Sequence, residues 1–349
     1  MGIYDSNIKR DVDAINNLLK GIKPAMSMSV NPLQQIFYGA PGTGKSNTIK
    51  KEVDNKGKKN FRVTFHPDSD YSTFVGSYKP TMKENVISKN GVETKEEQIV
   101  YRFIPQAFSK AYVAAWKSED DVFLIIEEIN RGNCAQIFGD LFQLLDRGSD
   151  GISEYPVYAD SDLASYIRKE LKDSKREDIP DDVREGVKLV LPNNLYIWAT
   201  MNTSDQSLFP IDSAFKRRWD WKYMPIENED KNWRIIVNQH EYDWWDFLVA
   251  INKEVFDLTH SEDKQLGYFF AKAKDGIIDA ETLVNKVYFY LWTDVFKDYD
   301  YESQKAFRKP NSNEPIAFKD FFEKGKVNEV MAEQVLINLE LNKPKENAE

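Results

Sequence analysis

The stretch LQQIFYGAPGTGKSNTIKKEV, Leu33 to Val53, decides the fold. A short apolar strand, Ile36 to Tyr38, runs into a glycine-rich turn and then into a helix. Within it Gly39, Ala40, Pro41, Gly42, Thr43, Gly44, Lys45 and Ser46 match GxxxxGK[ST] in full. Glycines at this spacing let backbone N–H groups turn inward around phosphate oxygens, Lys45 reaches the β- and γ-phosphates, and the Ser46 hydroxyl holds Mg²⁺. The helix that begins there adds its positive N-terminal end. The expected nucleotide-binding set is therefore Gly39 to Ser46, with Asn47 beyond it.

The elements around this loop repeat its pattern. Apolar strands at FRVTFH (61–66), VFLIIEE (122–128) and LYIWATMN (195–202) alternate with helical stretches at PQAFSKAYVAAWKS (105–118) and at about Gln136 to Leu145. Such alternation predicts an α/β domain with a mostly parallel sheet. From about Ile226 the strand signals fade. The segments DWWDFLVAINKEVF, DAETLVNKVYFYLWTDVF and VNEVMAEQVLINLEL then carry helix-period apolar residues. The expected division is a helical or linker segment over 1–30, an α/β domain over 31–226 and a smaller helical domain over 227–349. Residues 68–100 read as a hairpin or long loop between core elements, and the acidic, polar stretch 150–187 as a surface excursion.

Composition sets limits on function. With 349 residues, 41% of them hydrophobic and 13% aromatic, the chain can bury a sizeable core. No window approaches a membrane helix, the N-terminus lacks a secretory signal, and a cytoplasmic location is the default expectation. A net charge of −10 argues against a broad nucleic-acid-binding face. Its one cysteine, Cys134, excludes an internal disulfide. His66, His240 and His260 are its three histidines, spread too widely for a zinc site.

Next to a phosphate loop, the run LIIEEINRGN (124–133) acquires a chemical reading. An acidic residue at the end of a neighbouring strand holds Mg²⁺ in triphosphatases of this architecture, and a second carboxylate polarises the attacking water. Adjacent strand residues face opposite ways, so Glu127 and Glu128 take different tasks: Glu127 the metal, with Ser46, and Glu128 the water. Asn130 and Arg131, just beyond, either contact a neighbouring subunit, the favoured expectation, or shape the turn. In YIWATMNTSDQS (196–207) the strand ends at Asn202, whose amide can hold a water beside a γ-phosphate. In FPIDSAFKRRWDW (209–221), Arg217 and Arg218 stand side by side, where a guanidinium could neutralise charge on a neighbour's γ-phosphate.

Six blocks in order, GAPGTGKS, FHPDSDYSTFVGSYKP, IIEEINRGN, IFGDLFQLLD, LPNNLYIWATMNTSDQSLFPID and AFKRRWDW, together resemble the AAA+ domain of McrB-type NTPases, the motors of modification-dependent restriction systems. The resemblance runs from about Pro32 to Met224, with a weaker echo at QLGYFF (265–270). It implies an AAA+ P-loop fold with a helical C-terminal lid, GTP hydrolysis with Mg²⁺ (ATP being the alternative), a hexameric ring, and a McrC-like endonuclease partner. By position it assigns Walker A roles to Lys45 and Ser46 and Walker B roles to Glu127 and Glu128. Asn202 and Asp205 fall on the MNTxD signature, and Arg217 and Arg218 where arginine fingers act in trans.

Three features depart from the family pattern. Glu127 stands where aspartate is commoner, Gln206 where an arginine often follows, and QLGYFF lacks a histidine and serine. About thirty residues precede the motor, where McrB-like proteins usually carry a DNA-reading domain; either the sequence is a shortened form of a longer chain, or DNA reading lies in a partner or a separate module. Two other readings use the same residues, a MoxR- or midasin-like remodeller of protein complexes and a nucleotide-gated scaffold.

Overall fold

The computed structural model describes residues 31–89, 92–203, 209–300, 304–312 and 314–341. The expected segment 1–30, Asp205 and Gln206 lie outside the described residues. In chain order the first strands are β1 (Gln34–Gly39), β2 (Lys59–Thr64), β3 (Gly76–Lys89), β4 (Val92–Pro105), β5 (Val122–Glu127), β6 (Val157–Tyr158), β7 (Lys188–Leu189), β8 (Leu195–Asn202) and β9 (Asp220–Tyr223). Five of them make one parallel sheet in the order β2-β5-β8-β1-β9.

The middle strands are apolar because both faces of the sheet are covered. Val122, Leu124 and Ile126 of β5 and Leu195, Ile197 and Ala199 of β8 pack into one core with Phe108, Tyr112 and Trp116 of the helix Ala107–Lys117. The residues between them, Phe123, Ile125, Tyr196 and Trp198, face the other way onto Ile49 and Val53. Strand alternation thus builds two cores from continuous apolar runs. Register then aligns the functional ends, because Gly39 pairs with Asn202 and Thr64 with Glu127. The phosphate loop, both glutamates and Asn202 all emerge at the carboxyl edge of the sheet, where ligands of open α/β sheets bind.

Three features of this domain refine the expectations. The fifth strand, β9, follows directly on the arginine pair, where the sequence reads as the end of the domain. It is an edge strand whose Trp221 and Tyr223 rings meet Tyr38 at 5.7 and 5.5 Å. Residues 68–100 do hold a hairpin, as β3 and β4 pair antiparallel from Gly76↔Pro105 to Lys89↔Val92. The stretch 150–187 is more than a surface excursion. Its helix Ser161–Leu171 buries Leu163, Ile167 and Leu171 in the main core, and β6 and β7 pair at its base.

The C-terminal region is largely helical, with helices at Trp244–Thr259 and Glu329–Asn338 and a wide-turned helical run over Leu283–Tyr288 and Leu291–Val295. It also contains a three-stranded sheet, β11-β10-β12, from β10 (Arg234–Val237), β11 (His240–Asp243) and β12 (Ile277–Asp279). Its own core runs from Ile235 to Leu336. Among the described residues no helix is long and apolar enough to cross a membrane.

Candidate functional site

The phosphate loop has its expected backbone. Gly42 and Gly44 lie at φ +83 and +82, the left-handed region that side chains disfavour, and the helix Lys45–Glu52 starts directly after Gly44. Lys45 is drawn back over its own loop. Its Nζ donates to the carbonyls of Gly39 and Ala40, both at 2.8 Å. The Thr43 hydroxyl donates to Ala40 as well, at 3.0 Å.

Glu127 is the hub of the neighbouring strand end. Its Oε2 accepts from the Ser46 hydroxyl at 2.8 Å and from the Thr200 hydroxyl at 2.6 Å, while Oε1 pairs with the Arg62 guanidinium. A hydroxyl and a carboxylate in contact, separated by 81 residues of chain, are the hard-oxygen donors that Mg²⁺ takes when a triphosphate supplies the rest. These residues fit the ion. Among the described residues no cluster of three or more His, Cys, Asp or Glu side chains is placed to cage a metal by itself.

Glu128 is set apart from Glu127 by a turn rather than by strand alternation. It has left the strand and lies in the left-handed region at φ 55, ψ 50, a conformation that costs a non-glycine residue about 1–3 kcal/mol. Its N–H donates to the Thr200 hydroxyl at 3.1 Å, which anchors the turn. The Asn202 amide then donates to both carboxylate oxygens, at 2.8 and 3.0 Å, and the Arg131 guanidinium stands 3.7 Å away. The Asn202 amide thus contacts the Glu128 carboxylate directly. Asn130 is buried and donates to the Asn202 carbonyl at 2.7 Å, so it shapes the turn and ties the two strand ends together.

Comparison with known proteins agrees with this geometry. The chain is 39% identical over 301 residues to the type II restriction enzyme BsuMI component YdiS of Bacillus subtilis (strain 168), a match spanning 80% of this chain and 84% of that protein. It is 26% identical over 194 residues to the type IV methyl-directed restriction enzyme EcoKMcrB subunit of Escherichia coli (strain K12), spanning 53% of this chain and 34% of that protein. The family model for the AAA domain (dynein-related subfamily) matches residues 34–219. The chain belongs to the McrB-like AAA+ family.

As a McrB-like AAA+ protein it is a nucleoside triphosphatase, and its paired arginines are not equivalent. The Arg218 side chain is only 7% exposed, donates to Asp146 at 2.6 Å and to the Ala214 carbonyl at 2.7 Å, and lies 4.1 Å over the Phe142 ring. Arg217 is 67% exposed, with its nearest acid, the same Asp146, at 3.9 Å. One arginine staples the core and the other faces outward.

Sequence reasoning missed Thr200 and Arg62. Thr200 is two residues before Asn202 on β8 and so shares its face, a signal that period-two counting could have found. Arg62 stands out only once β2 is known to lie beside β5.

Cys134 opens the short helix Cys134–Phe138 that follows the Glu128 turn. It is buried, and burial pushes its thiol up to about 12. At pH 8 the folded protein should therefore resist iodoacetamide, and unfolding should expose one alkylatable thiol; rapid modification of the native chain, read by mass, would contradict this.

Proposed function

We propose that this protein is the motor subunit of a McrBC-like restriction system, a ring-forming, hexameric NTPase that hydrolyses GTP and drives a McrC-like endonuclease. The observation that carries the reading is the pair of contacts Ser46–Glu127 and Asn202–Glu128 beside one phosphate loop. Both named relatives are restriction enzyme components, which supports the restriction role.

In this reading Lys45 leaves its carbonyl partners for the β- and γ-phosphates. Ser46 and Glu127 would hold Mg²⁺, which supplies charge neutralisation on the phosphate oxygens. Glu128, aimed by Asn202, takes a proton from the water whose oxygen attacks the γ-phosphorus. The bond to the β–γ bridging oxygen breaks, and the nucleoside diphosphate leaves with its electron pair. Arg217 projects toward the neighbouring subunit's γ-phosphate. The left-handed turn at Glu128 has the character of strain kept at a functional position.

These residues handle phosphate and would serve GTP and ATP alike, so GTP rests on the resemblance to McrB. DNA is reached through the partner or a separate module. The test is turnover with Mg²⁺·GTP and Mg²⁺·ATP side by side, with and without a McrC-like endonuclease. A preference for GTP and stimulation by the endonuclease are expected. Hydrolysis of neither nucleotide would sink the motor reading, and stimulation by a protein substrate with indifference to the nuclease would favour remodelling.

A further inference from the structure

The segment QLGYFF, remote in sequence from the phosphate loop, lies against its outer side. The N–H of Gly267 donates to the Pro41 carbonyl and the N–H of Phe269 to the Gly42 carbonyl, both at 2.8 Å. The alternate residues face the other way, with Leu266 and Tyr268 buried in the C-terminal core. That core grips them firmly. Asn252, on the helix Trp244–Thr259, donates to the Leu266 carbonyl at 2.8 Å and accepts from the Leu266 N–H at 2.7 Å, and the Trp244 indole donates to the Tyr268 carbonyl at 2.9 Å. A hydrogen-bonded path thus joins helix, strap and phosphate loop.

The approach is close enough to exclude side chains. A Cβ on Gly267 would sit 2.3 Å from the Gly42 carbonyl carbon and 2.4 Å from the Thr43 nitrogen. A Cβ on Gly42 would sit 2.5 Å from the Phe270 nitrogen, and one on Gly44 would meet the Phe269 ring at 3.3 Å. The glycines of the motif are therefore constrained from outside the loop as well as by the anion within it.

A loop that turns its N–H groups inward around phosphate must turn carbonyls outward, and outward carbonyls removed from water need donors. The strap supplies two of them. We infer that Gln265–Phe270 is a positioning strap that holds the phosphate loop in its anion-ready shape, with Gly267 as the residue that permits the contact. This rests on the nucleotide-binding reading and couples the C-terminal region to it. Whatever the docked strap contributes to nucleotide affinity, bound nucleotide returns as tighter docking.

Hydrogen exchange on the unsubstituted protein gives the first test. Saturating Mg²⁺·GTP, with Mg²⁺·ATP run beside it, should slow exchange at the Gly267 and Phe269 amides at least tenfold. Gly267→Ala should weaken equilibrium binding of the same nucleotides at least tenfold. Its kcat at saturation should stay within about threefold, a split between binding and turnover that general damage to the fold would not produce. A folded Gly267→Ala protein with parental affinity would overturn the strap's role. So would exchange at those amides that ignores bound nucleotide, and this second readout decides the matter if the variant does not fold. Failure of the unsubstituted chain to bind either nucleotide would overturn the nucleotide reading itself, and the strap's role with it.

Discussion

Glu128→Gln should lower turnover by about 10²–10⁴-fold, the contribution of a positioned general base, while nucleotide binding survives. The substitution keeps size and shape but replaces a proton acceptor with an amide. It also turns one of the two contacts with Asn202 from attraction to repulsion, because the Asn202 Nδ2 donates to both carboxylate oxygens and would now meet an –NH₂ at one of them. The binding groups are untouched, since Lys45, Ser46 and Glu127 make their contacts without Glu128. Phosphate release and equilibrium binding, measured on the same preparation, check both halves. Near-parental hydrolysis would remove Glu128 from the role of base. Glu127→Gln is expected to act differently, weakening the dependence of binding on Mg²⁺, because its Oε2 sits against the Ser46 hydroxyl.

How far the sequence could be read depended on how each residue earns its place. β5 and β8 are buried on both faces, so they write themselves as apolar runs, and the phosphate loop needs glycines that few other structures would use. β9 is an edge strand of four residues, and its aromatic face against Tyr38 is interleaved with Asp220 and Lys222, which hides it. In 150–187 the acidic composition masks the stripe Leu163, Ile167, Leu171, spaced by four along one helix face. The assignment of Glu127 and Glu128 to separate tasks rests in the sequence on alternation, whereas in the fold a left-handed turn anchored by Thr200 separates them. The strap could not have been placed from sequence, because its partners are backbone carbonyls more than 220 residues away in the chain.

The same contrast between local pattern and packing sharpens the arginine pair, where two neighbouring cations should fail in opposite ways. Arg217→Ala should leave melting temperature, nucleotide binding and assembly at parental values and lower turnover by about 10³–10⁵-fold, the scale of an arginine finger. Arg218→Ala should instead cost about 1.5–3 kcal/mol of stability, since it strands Asp146 without its charged hydrogen bond and removes the guanidinium from the Phe142 ring. If Arg217 acts across a subunit boundary, mixing Arg217→Ala subunits with Glu128→Gln subunits should restore part of the turnover that each has lost alone. At a boundary where the first kind supplies Glu128 and the second supplies Arg217, a complete site forms. No recovery at any mixing ratio, with mixed assembly verified, would confine Arg217 to its own subunit. Equal loss of stability in both arginine variants would show that the buried and the exposed side chain are not divided as their contacts with Asp146 indicate.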